Sequence, residues 1–321
     1  MFEKRVFAVF DGRGNSGSLP ELCRSLLFGQ KETWAELRNA YSSLKRVRTR
    51  PIQCTGFSVT LQHNPGRATS SLARVDETNI RKRACFLCAE NLPEGQKGIL
   101  YRDTFLVLCN PAPVFPFHYT VSCVEHRAQA IAGNIGVCLQ LMADLGSNWT
   151  LLYNGPKCGA SAPDHLHFQV LPEGKLPIER EIVEYQRLER VVRLPGASLF
   201  RVKDVGREVM MLVGDDPEVL DGTLRTYLDR LKKVFPADDE PMLNIAGSHT
   251  RGAWRLLVFP RRAHRPDVFF HEGDGRIVVS PAVVEMAGVI VTPIEKDFER
   301  LDAAMVENIY RQVSLPDAQY P

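Results

Sequence analysis

No stretch of the 321-residue chain approaches the roughly 18 consecutive apolar residues of a membrane span. The N-terminus, MFEKRVFAVFDGRGNSG, lacks the apolar core and small-residue cleavage site of a secretory signal. Charge of one sign is scarce too. The 40 Lys and Arg stand against 38 Asp and Glu, a net charge of +2 that argues against a dedicated nucleic-acid coat. Eight cysteines are too sparse at this length for a disulfide scaffold. In a reducing compartment they read as small buried hydrophobes, with any close pair a metal candidate. The expectation is a cytoplasmic protein with no nucleic-acid partner and no membrane partner. Hydrophobic residues make up 44% of the chain, enough for a sizeable core in one large domain or two medium ones.

Against this background stands DHLHFQVLP, residues 164–172. Its apolar and polar residues alternate, as in a half-buried β-strand. Leu166, Phe168 and Val170 share one face and can enter a core; His165, His167 and Gln169 share the other. Alone, such a face is as readily a solvated one, so its surroundings decide. Just upstream, NGPKCGASAPD reads as a loop containing Asn154, Lys157, Gly159 and Ser161. Glycines let backbone amides approach a phosphate, and a serine adds a donor. The earlier loop HNPGRATSSLAR offers Arg67 and several hydroxyls of the same kind.

Apolar spacing divides the chain into an N-terminal helical extension over 1–50, a first half over 51–194 and a second over 195–321. Leu22, Leu26, Leu27, Trp34, Leu37 and Tyr41 carry the helical spacing of the extension. The first half is expected to hold a strand at 52–62, further strands at 104–109, 118–123 and 149–153, a helix at 128–145, the histidine strand, and a charged helix at 179–193. The second is expected to hold strands at 198–203, 207–213, 242–246 and 254–259 with a helix at 217–234. A strand pair at 276–279 and 286–292 and a helix at 296–313 would close it. The halves echo each other, YNGPKCGASAPDHLHFQVLP standing beside LNIAGSHTRGAWRLLVFP. Asn154 then corresponds to Asn244, and His167 to Arg255. This predicts a degenerate duplication, each half an antiparallel sheet with helices against it.

The residue types define the chemistry. A neutral histidine beside a bound phosphate can attack phosphorus and form a phosphoramidate. An amide such as Gln169 can donate to the phosphoryl oxygens where charge develops. Unlike a third histidine, it is neither acid nor base near neutral pH, which favours transfer to a bound acceptor over hydrolysis. Arg67, Lys157 and Arg255 are candidate phosphate clamps. Cys85 and Cys88 form C-x-x-C, a half-site for tetrahedral zinc. His118 and His165 are the candidates for the other half. A site closed by four protein ligands would be structural and would pin the strand carrying His167.

These residues together resemble the transferase branch of the histidine-triad (HIT) superfamily, which includes galactose-1-phosphate uridylyltransferase, diadenosine tetraphosphate phosphorylase and the GDP-hexose phosphorylases. Its H-x-H-x-Q signature is met by His165, His167 and Gln169. The resemblance implies an α+β fold of two HIT-like halves. It implies that His167 forms a covalent nucleotidyl intermediate and that Gln169 contacts the phosphate of that intermediate. CFLC at 85–88 and FPFH at 115–118 resemble the uridylyltransferase zinc elements, implying Cys85, Cys88, His118 and His165 as ligands of a Zn²⁺ ion. HLHFQ and SPAVVEMAG at 280–288 are closer to the GDP-hexose phosphorylases, and place Glu285 and Met286 in the second half. Ala162-Pro163-Asp164 is one residue longer than the corresponding uridylyltransferase step, and residues 1–50 match no known pattern.

The function this implies is nucleotidyl transfer or phosphorolysis on a nucleotide sugar or a dinucleotide, with a hexose 1-phosphate or phosphate as acceptor. The second half would complete the pocket or form an interface, as in a homodimer. Two other readings compete: a nucleotide-binding regulatory protein of the same fold without turnover, and a zinc-dependent hydrolase, which needs an open metal position.

Overall fold

Alternation sets the central strands. Leu166, Phe168 and Val170 are buried in the main core, while His167 and Gln169 point to the opposite side of the sheet. The computed structural model describes residues 2–13, 17–72, 77–234, 236 and 239–315. In chain order its strands are β1 (Val6–Phe10), β2 (Arg48–Gln53), β3 (Ser58–His63), β4 (Gly98–Tyr101), β5 (Phe105–Cys109), β6 (Tyr119–Cys123) and β7 (Trp149–Asn154). There follow β8 (His167–Pro172), β9 (Leu188–Leu194), β10 (Ala197–Val202), β11 (Met210–Gly214), β12 (Leu243–Thr250), β13 (Ala253–Pro260) and β14 (Val289–Thr292).

Eleven strands form one sheet in the order β1-β4-β5-β6-β8-β7-β12-β13-β11-β10-β9. Read outward from the β7–β12 junction, both sides show the same plan. The first runs β5, β6, helix Ile135–Leu145, β7, β8; the second runs β10, β11, helix Pro217–Val234, β12, β13. The fold is α+β with two like halves, and Asn154 and Asn244 lie opposite each other where they meet. Both halves are antiparallel internally; the parallel β1–β4 pair makes the whole sheet mixed.

One sheet face is covered by helices Leu19–Thr33, Ala35–Ser43, Ile135–Leu145 and Pro217–Val234, which contribute Leu26, Leu37, Leu139, Leu224 and Leu228 to the main core. Helix Leu19–Thr33 begins at a capping box, with the Ser18 hydroxyl and the Glu21 carboxylate each facing the other's backbone N–H. The opposite face carries a small sheet, β14-β3-β2, and helices Val283–Met286, Glu295–Arg300 and Ala303–Val313, packed through Leu61, Ile290, Tyr310 and Phe259. Among the described residues no helix is long and apolar enough to cross a membrane.

Several elements depart from expectation. His165 and Leu166 precede β8 rather than opening it. Residues 52–62 are not one strand but parts of the β2–β3 hairpin, which turns at Gly56, where φ is +83°. Residues 179–193 form one helical turn (Ile178–Glu181), a 3-10 turn (Tyr185–Arg187) and β9. The adjacent Val191 and Val192 are stiff β-branched residues, and β10 supplies the pairing strand, with Val192 opposite Leu199. No strand forms at 276–279; β14 stands alone and pairs in parallel with β3. The C-terminal helix breaks at Leu301, and Asp302 caps its second part by accepting from the Met305 N–H. Residues 1–50 are more than helical, since β1 extends the large sheet.

Candidate active site

β8 lies between β6 and β7, so its backbone is held on both sides. A further clamp comes from outside the sheet. Gln129 accepts from the His167 N–H at 2.8 Å and donates to the carbonyls of His167 at 3.0 Å and Asn154 at 2.8 Å. The His167 ring is oriented by its neighbour, with Nδ1 2.8 Å from the carbonyl oxygen of His165. A carbonyl only accepts, so Nδ1 carries the hydrogen and Nε2 keeps its lone pair. Among the described residues Nε2 has no hydrogen-bond partner. His167 lines a cavity of about 310 Å³ together with Arg67, Phe86, Asn110, Ser161 and Gln169. Burial pushes the imidazole down to about 4, so it is neutral at physiological pH.

Gln169 is oriented in the same manner. Val114 N–H donates to His118 Nδ1 at 3.1 Å, which leaves the hydrogen on Nε2; that nitrogen donates to Gln169 Oε1 at 2.8 Å. With its oxygen occupied, Gln169 has its amide nitrogen left to donate. Burial, reinforced by the Arg67 charge, holds His118 down to about 4. The residue expected as a metal ligand thus positions the glutamine instead. His118→Phe is expected to release the Gln169 amide oxygen without reducing metal uptake by the purified protein, measured by elemental analysis.

The cysteine pair does meet two histidines, but the set is Cys85, Cys88, His126 and His165, whose ligand atoms lie within 4.8 Å of one another. Cys85 Sγ is 3.3 Å and Cys88 Sγ 3.6 Å from His165 Nδ1, and Cys88 Sγ is 3.2 Å from His126 Nδ1. Tetrahedral bonds of about 2.0–2.3 Å place neighbouring donors roughly 3.3–3.8 Å apart, so the set fits a four-coordinate metal ion. The far side of His165 agrees, since Nε2 lies 2.7 Å from the Cys123 carbonyl, which keeps the Nδ1 lone pair toward the sulfurs. His165 therefore joins the metal set through its ring and orients His167 through its carbonyl.

The expected phosphate-binding residues divide. Arg67 and Ser161 line the His167 cavity, and both also line a smaller adjoining cavity with Gly159. Asn154 is buried and structural: its Oδ1 accepts from Asn244 Nδ2 and from the Val283 N–H, each at 2.8 Å. Lys157 is exposed and lines neither cavity. Arg255 is remote, in a separate small cavity with Thr150 and Glu179. The sequence reading missed Gln129 and His126. Both lie beyond the end of β6: no periodic pattern marks His126, and Gln129 falls in the helix expected over 128–145, which begins only at Ile135.

Glu240 buttresses the same segment, accepting from the Ile131 N–H at 2.5 Å and from the Tyr153 hydroxyl at 2.6 Å. Burial pushes its carboxyl up from 4.5 to about 7. A carboxyl that binds its proton more tightly when folded contributes stability fully below the unfolded value and loses it as pH rises through the folded one. Relative to Glu240→Gln, the wild type should therefore lose up to about 3 kcal/mol between pH 4.5 and 7, read from urea unfolding at each pH.

The sheet of two like halves, with an H-x-H-x-Q strand near its centre, shares its overall fold with a known phosphorylase. Among solved structures the chain is similar to yeast Ap4A phosphorylase Apa2. Alone, that enzyme superposes with a TM-score of 0.61 at 14% identity over 88% of this chain and 97% of its own. With AMP the values are 0.59, 16%, 92% and 96%; with Ap4A they are 0.56, 15%, 88% and 97%. At such identities the likeness is one of fold. Residues 26–172 match a family model described as a domain of unknown function, DUF4922. No curated protein sequence matches significantly.

Proposed function

We propose that this protein is a nucleotidyltransferase or phosphorylase that forms a covalent nucleotidyl–His167 intermediate. The carrying observation is the neutral His167 ring, held by the His165 carbonyl with Nε2 unpartnered beside Arg67 and Gln169. Nε2 attacks the α-phosphorus of a nucleotide sugar or dinucleoside polyphosphate. A P–N bond forms and the P–O bond to the leaving group breaks. Positive charge on the ring is relieved through Nδ1–H and the His165 carbonyl, while Gln169 donates to the phosphoryl oxygens. An acceptor phosphate then attacks, the P–N bond breaks and Nε2 regains its lone pair. The Ap4A phosphorylase fold supports this reading.

In the same reading zinc is the metal held by Cys85, Cys88, His126 and His165, and its role is structural. Four protein ligands leave no open position for hydrolytic chemistry. All eight cysteines are free and buried, in keeping with a cytoplasmic setting. The test is incubation of the wild type with ADP-, GDP- and UDP-sugars and with Ap4A, followed by mass analysis. The expected product is an acid-labile nucleotidyl adduct on the peptide carrying His167. Absence of an adduct with every donor would overturn the proposal.

A further inference from the structure

The eleven-stranded sheet ends in two strands whose outer edges no described strand covers, β9 in the second half and β1 in the N-terminal extension. The two edges differ in chemistry. β9, LERVVRL, carries Glu189, Arg190 and Arg193, and charges along an edge resist pairing because a neighbouring strand would desolvate them. β1, VFAVF, carries none in five residues. A strand of this composition at an open edge is a template for another strand.

The side chains along this edge are apolar and in reach of a partner. Phe7 and Val9 are 42% and 46% exposed, and Phe28, on helix Leu19–Thr33, is 55% exposed. A Cβ on Gly29 would stand 3.9 Å from the Phe7 ring, so Phe7 lies against that same helix.

The backbone of β1 is half used. Its ladder with β4 pairs Val6, Ala8, Val9 and Phe10 with Gly98, Ile99, Leu100 and Tyr101, and passes over Phe7. The Phe10 carbonyl accepts from the Arg102 N–H at 2.7 Å, on the β4 side. Successive carbonyls of a strand point to opposite sides, so that of Ala8 also faces β4 and that of Val9 faces outward.

The sequence around β1 is its own complement. In RVFAVFD, residues 5–11, reversal about Ala8 sets Val6 opposite Phe10, Phe7 opposite Val9 and Arg5 opposite Asp11. Each phenylalanine then meets a valine, a favourable cross-strand combination, and opposite charges meet at both ends. Arg5 donates to the neutral carbonyls of Leu92, Pro93, Glu94 and Gln96, and Asp11 Oδ1 accepts from the Arg13 N–H. Neither makes an ion pair among the described residues.

We propose that β1 is the contact surface for a second copy of this chain, which pairs with it antiparallel about a two-fold axis at Ala8 and continues the sheet from one molecule into the other. Such a contact is isologous, so each favourable pair occurs twice. Ala8 meets its own counterpart as a non-hydrogen-bonded pair, with the two Cα atoms about 4.5 Å apart. The inference is independent of the transfer reading, since β1 lies four strands from β8, about 19 Å at roughly 4.8 Å per strand.

Sedimentation of the full chain over about 1–100 µM is expected to show a shift from monomer to dimer. Val9→Lys, at an exposed side chain, should weaken association about tenfold or more and leave the melting temperature within about 2 °C. Asp11→Lys, which sets two cations together at each end, should weaken it about tenfold. Ala8→Cys tests the position of the axis. The native thiols are all buried, so in oxidised glutathione the new thiol should link two chains by a disulfide. Val6→Cys, whose counterpart is Phe10, should link at least about tenfold less.

A single chain throughout that range, or a species larger than a dimer, would overturn the proposal, because a two-fold contact closes on itself. So would a dimer that survives both Val9→Lys and Asp11→Lys unweakened, or Val6→Cys linking as readily as Ala8→Cys.

Discussion

His167→Ala is expected to abolish the proposed nucleotidyl transfer, with turnover falling about 10⁴-fold or more and no adduct detectable. The size of the effect follows from the geometry. In the proposed mechanism His167 supplies the lone pair that makes the new bond to phosphorus, and no other described imidazole lines this cavity. His118 is the nearest candidate, but its Nδ1 accepts from Val114 and its Nε2–H is committed to Gln169. The protein should remain folded. The lost ring leaves only the His165 carbonyl short of a partner, a deficit of about 1–3 kcal/mol in a buried setting. Single-turnover mixing with the best donor and a melting curve would check both halves of this expectation. An adduct of undiminished yield in His167→Ala would remove His167 from the mechanism.

The second large effect concerns the metal. On the proposal that Cys85, Cys88, His126 and His165 hold zinc, Cys85→Ser and His126→Ala are each expected to lose the ion and lower Tm by roughly 10 °C or more, whereas His118→Ala should retain it. Metal binding stabilises only the folded arrangement that assembles the four donors, so its free energy appears as folding stability. Activity should fall with metal content. Without the metal, the His165 ring keeps only its contacts with the Cys123 carbonyl and the Ser122 hydroxyl, so the carbonyl that orients His167 is held less firmly. Elemental analysis and calorimetry of the purified variants would decide the matter. Loss of the ion from His118→Ala rather than from His126→Ala would refute the ligand set.

How much of this was legible can be judged residue by residue. Helix Pro217–Val234 followed directly from apolar spacing, and its buried Leu220, Leu224, Leu228 and Leu231 lie on one stripe. The run at 179–193 misled because charged residues at close spacing also suit an exposed edge strand, and only the presence of β10 decided for β9. Asn154 looked like a phosphate ligand because it stands before a glycine loop. In the fold its side chain instead ties the halves together through Asn244 and Val283.

By itself, the sequence determined the two-sidedness of the histidine strand, since alternation is a local property of extended backbone: Phe168 and Val170 go to the core, His167 and Gln169 to the cavity. It also determined the closeness of the two cysteine thiols, because C-x-x-C is a single turn of chain. Tertiary structure alone decided which histidine joins them. His118 precedes β6 and His126 follows it, and nothing in their spacing ranks one above the other. The antiparallel register, with Ser122 opposite His167 and Tyr119 opposite Val170, lays the end of β6 beside the start of β8. His126 is thereby brought to His165 and His118 to Gln169, because strand pairing joins residues distant along the chain by rules that no local pattern contains.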